Sequence, residues 1–351
     1  MSLELRNHLI PSSAPVKSAL QQLDKLGGKN EQTLFVVDKE QRLQGALTDG
    51  DVRRGFLNGY GLQSPISDIM KKDALLLKEG QHSLEQVKHA QEKLIEILPL
   101  VNAQHQVVKI FNLSQYKSIL PADAVIMAGG KGTRLRPLTN HTPKPLLKIG
   151  GKPIIEYNID LLKSYGIQNI NISVRYLGEQ LEKAYGDGRR KGVNIKYAWE
   201  KEPLGTIGAL SLVPEFKHDS ILLMNSDLLT NMDLEKFFTE FEERDACMSV
   251  ATVPYKVPVP YGILECEGDT VTALREKPTY TYQANAGVYL LKRDVVADIP
   301  RNVHYNATDL MKRLIANGRK LTYFPILDYW LDVGKHEDFQ KAQEDVKHLK
   351  F

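Results

Sequence analysis

The rhythm of apolar and polar positions changes near residue 120. Before that point, two stretches carry apolar residues at helical spacing, Pro15 to Leu26 and Leu84 to Lys93. Each is followed by two short apolar runs with a polar turn between them. In the first case the runs are Thr33 to Asp38 and Leu43 to Thr48; in the second, Ile97 to Asn102 and Val107 to Asn112. The second pair repeats the first at a constant offset of 64 residues. Val37 corresponds to Val101, Asp38 to Asn102, Leu43 to Val107 and Thr48 to Asn112. Each copy therefore reads as strand, turn, strand and then a helix, which in the first copy is Val52 to Leu57. Neither copy alone has enough apolar surface for a stable core, whereas two packed together do.

After Ile119-Leu-Pro-Ala122, strands alternate with helices. Asp123 to Ala128, Asn169 to Val174, Ser220 to Met224 and Ala246 to Val253 read as strands. Pro153 to Tyr165 and Asp233 to Glu243 read as helices, with Pro153 tolerated in a first turn. This βαβ order predicts a mostly parallel, doubly wound sheet with helices on both faces. Ligands of such sheets sit at the carboxyl ends of strands, so chemistry is expected after Ala128, Val174 and Met224. Two domains follow, residues 1–119 and 120–351.

The 351 residues are 42% apolar and 25% charged, with a net charge of +3. That is an ordinary globular composition, and neither domain is basic enough to mark a nucleic-acid partner. The longest aliphatic runs, such as Ile221 to Met224, are too short to span a membrane. The start, MSLELRNHLI, lacks a basic segment followed by an apolar run, so no signal peptide is expected. Cys247 and Cys266 both lie in strand-like runs, which fits a reduced, cytoplasmic protein.

The strongest chemical signal is Met127-Ala-Gly-Gly-Lys-Gly-Thr-Arg-Leu-Arg-Pro137. Glycines after a strand let backbone N–H groups approach a phosphate. A dinucleotide fingerprint would need a third glycine where Leu135 stands, and no Gly-Lys-Ser/Thr follows for a Walker loop. Instead Arg134 and Arg136 follow the glycines, and arginine suits bidentate phosphate binding. In Thr142-Pro-Lys-Pro-Leu146, two prolines hold Lys144 in a stiff segment, which limits the entropy lost when its ammonium meets an anion. Asp227 follows an apolar strand, and Asp332 lies near Trp330. No histidine pair has zinc spacing, and no Gly-x-Ser-x-Gly elbow is present.

Gly129-Gly-x-Gly-Thr-Arg-Leu135 with Pro143-Lys-Pro145 resembles the signature of the sugar-1-phosphate nucleotidyltransferases. The resemblance continues through Gly150 to Ile155, Glu202-Pro-Leu-Gly-Thr206, Asn225-Ser-Asp227, Tyr261-Gly262, Glu276-Lys-Pro278, Asn285-Ala-Gly287 and Trp330 to Gly334, covering residues 122 to 347. Serine 226 replaces the family's usual glycine. The resemblance implies a Rossmann-like α/β catalytic domain in which Arg134, Lys144 and Asp227 are catalytic. It implies that Ala128, Gly129, Gly130, Gly132, Thr133, Arg134, Lys144, Glu202 and Gly205 hold the nucleoside triphosphate. Gly262, Glu276, Lys277, Asn285 and Gly287 would hold the sugar 1-phosphate, and Asp227 and Asp332 a Mg2+ ion. The run Arg136-Pro-Leu-Thr139 is closest to guanylyltransferases of hexose or hexosamine 1-phosphates in surface polysaccharide or nonulosonic acid synthesis. Uridylyl or thymidylyl transfer, or a non-catalytic nucleotide-sensing subunit, are the alternatives.

The tandem unit resembles an α/β CBS-domain pair through Leu34 to Asp38, Gly45-Ala-Leu-Thr-Asp-Gly-Asp51, Val52-Arg-Arg54 and Ile66 to Met70, over residues 5 to 118. That resemblance implies a homo-oligomer built through the pair, and a regulatory adenine nucleotide whose ribose is held by Thr48 and Asp51. The same two residues also read as a plain capping box. The second copy has Asn112 and Gln115 at these positions and lacks the carboxylate.

Overall fold

The computed structural model describes residues 3–27, 32–349 and 351. The chain divides into two compact units, residues 1–121 with 164–166, and residues 122–163 with 167–351.

The first unit opens with α1 (Leu3–His8), β1 (Leu9–Pro11) and α2 (Val16–Lys25). It continues through β2 (Thr33–Val37), β3 (Leu43–Thr48), α3 (Asp49–Leu57), β4 (Leu77–Lys78), α4 (Leu84–Glu92), β5 (Ile97–Val101) and β6 (Val107–Asn112). β1, β2 and β3 form one sheet, and β4, β5 and β6 another. In each, the first strand runs parallel to the second and the second pairs antiparallel with the third. The 64-residue offset is reproduced in the ends of both hairpins and in the place of their bulges, at Val36/Val37 and Leu100/Val101. The two copies clasp reciprocally. Leu43 N–H donates to the His105 carbonyl (2.9 Å), and Val107 N–H donates to that of Gln41 (3.3 Å). Gln41 and His105 share left-handed φ values of 63° and 64°. Val37, Leu43, Val101 and Val107 meet in one apolar cluster, so each copy supplies the surface the other lacks.

One expectation fails here. The second copy does not end in a helix but in a single 3-10 turn, Leu113–Gln115. In α3 the Thr48 hydroxyl and Asp51 carboxylate close a complete capping box. The Asn112 side chain caps Ser114, and Gln115 closes no box back to it, so the turn is not propagated.

The second unit begins with β7 (Ala122–Met127), β8 (Lys148–Ile149), β9 (Lys152–Pro153), α5 (Ile154–Ser164), β10 (Asn169–Val174), α6 (Gly178–Tyr185), β11 (Asn194–Trp199), β12 (Ser220–Asn225), β13 (Leu228–Thr230) and α7 (Leu234–Glu243). It ends with β14 (Met248–Pro258), β15 (Ile263–Glu267), β16 (Thr270–Arg275), β17 (Thr279–Lys292), α8 (Arg293–Ala297), α9 (Ala307–Ala316), β18 (Leu321–Pro325), β19 (Trp330–Asp332) and α10 (His336–Asp345). The central sheet has the order β11-β10-β7-β12-β17-β14-β18. All neighbours are parallel except β17, which opposes both β12 and β14. Successive residues Ala124, Val125 and Ile126 are all fully buried, as expected of a strand covered on both faces. The strand order reverses between β7 and β12, because the chain passes from β7 outward to β10 and β11 before returning to β12. The crevice outside the carboxyl ends of β7 and β12 is therefore the topological switch point.

A smaller core lies apart from the main one. Leu135, Leu147, Ile149, Ile154, Leu229, Leu331, Val333 and Ala342 form it, drawn from loops, short strands and α10. Leu229 is fully buried there. Leu229→Ala should lower the stability of the second unit by about 2–5 kcal/mol, measured as a shift of its denaturant midpoint at unchanged slope.

Candidate active site

The glycine-rich loop leaves β7 at the switch point and is fixed on both sides. Ala128 N–H donates to the Ser173 carbonyl (2.9 Å) at the end of β10, and Ser226 N–H donates to that of Met127 (3.2 Å). A β-carbon at Gly129 would stand 2.6 Å from Glu200 Oε1, so only glycine fits against that carboxylate. Gly132 has φ of 60°, and its carbonyl accepts the hydroxyl of the fully buried Thr139 (2.9 Å). This folds the loop back toward the Lys144 segment.

Asp227 and Asp332 lie far apart in sequence, and backbone pairing brings them together. β13 and β19 pair antiparallel with Leu228 opposite Asp332, and Val333 N–H donates to the Asp227 carbonyl (3.0 Å). The Lys144 ammonium is buried between them. It pairs with Asp227 Oδ2 and lies 3.9 Å from Asp332 Oδ1. Asp227 Oδ1 and Asp332 Oδ1 are buried and accept no hydrogen bond. Burial, and then the negative charge of Asp227, push the Asp332 carboxyl above the usual range, with Lys144 and Arg134 opposing. The Arg134 guanidinium flanks this turn, since a β-carbon at Gly334 would meet it at 3.4 Å. Each chemical residue adjoins the smaller core, through Leu135, Leu147, Leu229, Leu331 and Val333.

Lys144, Asp227 and Arg134 open on a cleft of about 420 Å³, while Asp332 stands behind them and does not line it. Ala128, Gly129, Gly130, Gly132, Thr133, Arg134, Lys144, Gly205 and Asp227 all line it, so the structure brings most of the triphosphate set together. Glu202 is exposed and does not line the cleft; Glu200, two residues earlier, does. Arg175 also lines it, a residue no motif pointed to. Asn158 was equally silent in sequence, yet it is buried and donates to the Ser226 carbonyl (3.1 Å). Ser226 does not adopt left-handed φ, so serine replaces the family's glycine without strain.

The residues expected at the sugar phosphate divide into two groups. Gly287 lies against the Asn225 amide, and Trp330 Nε1 donates to the Ala286 carbonyl (2.9 Å), which ties this stretch of β17 to β19. Asn285 is already engaged, donating to the Tyr289 hydroxyl and accepting from Gly287 N–H, both at 2.9 Å. Gly262, Glu276 and Lys277 are exposed beyond the sheet, where β14 and β17 extend as an arm carrying the β15–β16 hairpin, and they do not line the cleft. Glu276 packs beside Gly262, and Lys277 has a left-handed φ of 44°.

Among the described residues, no group of three or more His, Cys, Asp or Glu side chains forms a metal cage. Two carboxylates with open oxygens do fit an ion that takes its remaining ligands from phosphate and water. No helix of the described residues is long and apolar enough to cross a membrane.

The sequence profile of the family described as Nucleotidyl transferase matches residues 123–348. A mannose-1-phosphate guanylyltransferase of Mycobacterium tuberculosis is 33% identical over 230 residues, which is 64% of either chain. A UTP–glucose-1-phosphate uridylyltransferase of Synechocystis is 31% identical over 64% of this chain and 63% of its own. This chain thus spans less than two thirds of the length of both relatives. A D-glycero-alpha-D-manno-heptose 1-phosphate guanylyltransferase of Aneurinibacillus thermoaerophilus is 30% identical over 64% of this chain and 99% of its own. Among solved structures, a Bacillus anthracis chain assigned as a glucose-1-phosphate thymidylyltransferase aligns with a TM-score of 0.53 at 25% identity, covering 66% of this chain and 97% of that one. With the matched profile taking in the glycine loop, Lys144 and both aspartates, the chain belongs to the nucleotidyl transferase family.

Proposed function

We propose that this protein transfers a nucleoside monophosphate from a nucleoside triphosphate to a sugar 1-phosphate, releasing pyrophosphate. The observation that carries the reading is the meeting of Lys144, Asp227 and Asp332 beside a glycine loop at the switch point. A phosphate oxygen of the sugar 1-phosphate attacks the α-phosphorus in line. The bond from that phosphorus to the β-phosphate oxygen breaks, and the electron pair leaves with pyrophosphate. The nucleophile is already an anion, so no protein base is needed. The protein's work is positioning and charge stabilisation.

In this reading, loop N–H groups and Arg134 hold the triphosphate, and Lys144 offsets charge at the α-phosphoryl. Lys277 and Glu276 on the arm, with Gly262, Asn285 and Gly287, receive the sugar phosphate. Asp227 Oδ1 and Asp332 Oδ1, the two unpartnered buried oxygens, would hold Mg2+. That ion would supply Lewis-acid charge and a template for the phosphates. The guanylyltransferases among the relatives favour GTP with a hexose or heptose 1-phosphate, a hexosamine 1-phosphate stays with the motif reading, and the uridylyltransferase keeps UTP as the second reading.

For the first unit we retain a CBS-type pair that senses an adenine nucleotide and builds a homo-oligomer. Support comes from a cleft of about 790 Å³ within that unit, lined by Thr48, Asp51, Arg53, Arg54, Lys71 and Lys93. The cap geometry leaves one oxygen of Asp51 for a ribose. Oδ2 is filled by Thr48 N–H (2.8 Å) and Oγ1 (2.6 Å), whereas Oδ1 accepts from Arg54 (2.5 Å) and keeps a lone pair.

Asp227→Asn and Asp332→Asn should each lower turnover about a hundredfold or more while the fold survives, read by pyrophosphate release at saturating Mg2+. Near-normal rates in both would sink the assignment of the carboxylate pair.

Lys277→Ala should raise the KM for sugar 1-phosphate more than that for the triphosphate, and Arg134→Ala the reverse. Equal losses for both substrates in both variants would reject this division of labour.

Asp51→Ala should abolish any response of turnover to AMP or ATP added with GTP as substrate. A wild type that binds no adenine nucleotide outside the catalytic cleft would leave the pair as an assembly module.

A further inference from the structure

Arg175 and Glu200 occupy matched positions at the edge of the sheet. β10 and β11 pair in parallel with Val174 opposite Trp199, and the next residue of each strand lines the cleft. Glu200 N–H donates to the Val174 carbonyl (3.0 Å), which locks the two strand ends together. The Glu200 side chain is only 8% exposed. It accepts from the Ser173 hydroxyl and from Leu204 N–H (3.0 Å), one bond to each oxygen, so each keeps a lone pair. Arg175 is the converse. The residue is half-buried, and its Nε is buried without a hydrogen-bond partner. A donor buried without an acceptor is costly, and an orphaned guanidinium N–H beside a cleft points to a ligand that supplies the acceptor.

The strand order says which part of the ligand. Arg175 and Glu200 lie two and three strands from β12, about 10–14 Å at the usual spacing. The glycine loop of β7 lies between them and Asp227. If phosphates occupy the loop and the Lys144 end, the far end faces the base. A carboxylate there is compatible with a base and repels a triphosphate. Arginine offers only donors and glutamate only acceptors. Guanine is the base whose edges answer both, with O6 and N7 as adjacent acceptors and N1–H and N2–H2 as adjacent donors. Uracil and thymine have a single donor, N3–H, between two acceptors. Adenine pairs its N7 acceptor with a donor.

We infer that Arg175 is a specificity-determining residue that forks onto guanine O6 and N7, with Glu200 taking N1–H and N2–H2. The inference rests on the nucleotidyl-transfer reading and names its nucleotide as GTP.

The test is titration of the full chain with GTP, 7-deaza-GTP, UTP, ATP and inorganic tripolyphosphate, in Mg2+, for wild type, Arg175→Gln and Arg175→Lys. Wild type should prefer GTP. Arg175→Gln should weaken GTP about 10–100-fold and leave tripolyphosphate unchanged. 7-Deaza-GTP, which lacks the N7 acceptor, should bind wild type more weakly than GTP and should lose much less on the substitution. Arg175→Lys keeps the charge without the fork and should not restore GTP binding. Equal loss of tripolyphosphate would make Arg175 a phosphate contact and overturn the proposal, as would a wild type that prefers UTP. A chain that selects GTP through Arg175 yet releases no pyrophosphate with any hexose 1-phosphate would support base recognition and reject transfer. Release from UTP alone would do the opposite.

Discussion

Two carboxylates held close in a partly buried place repel each other, and the second unit of this protein is arranged around that constraint. The β13–β19 pairing sets Asp227 and Asp332 side by side through backbone register, not through any attraction between the side chains. The rise of the Asp332 carboxyl above its usual range, first through burial and then through Asp227, is the electrostatic signature of this placement. Lys144 offsets part of the repulsion from a buried position that would be costly for an ammonium without partners. The small core of Leu135, Leu147, Leu229, Leu331 and Val333 makes the arrangement rigid, since every charged residue is one to three positions from a side chain packed there.

The first unit solves a different problem with the same economy of means. A single three-stranded copy leaves one face uncovered, and the symmetric bonds Leu43 to His105 and Val107 to Gln41 dock that face on its twin. Symmetry stops at the ends. Only the first copy has a carboxylate to close a capping box, so only there does a helix follow the hairpin and wall a cleft.

The sequence disclosed features whose cause is local or periodic. The 64-residue repeat was legible because each strand must keep its apolar residues in phase with its partner. The glycine loop was legible because close backbone approach admits few residues. Features that depend on register across long separations were not. Nothing in the spacing of Asp227 and Asp332 announces that Leu228 opposes Asp332. Glu200 and Glu202 sit in one short acidic motif, and which of them faces the cleft is decided by the hydrogen bonds from Ser173 and Leu204, residues outside any charge pattern. Arg175 carries no periodic signal at all, because a lone arginine after a strand normally lies in solvent. The β15–β16 hairpin was invisible for the opposite reason. Its Leu264, Val271 and Leu274 are exposed, so burial imposes no alternation on it.

Charge is ordered along the carboxyl edge of the sheet, and that order has a direction. From β11 to β12 it runs acid at Glu200, base at Arg175, the glycine loop with Arg134, then Lys144 with its two aspartates. A triphosphate placed the other way round would set its negative charge against the buried Glu200 carboxylate, with Arg175 alone to offset it and Lys144 out of reach. A base placed at the aspartate end would leave the loop's N–H groups without an anion. Both errors leave buried polar groups unpaired, which costs more than the contacts of a correct pose differ among themselves. On the proposed reading, orientation of the nucleotide does not require a separate gate. It follows from which strand each charge terminates, and that was fixed when the chain turned outward from β7 to β10 before coming back to β12.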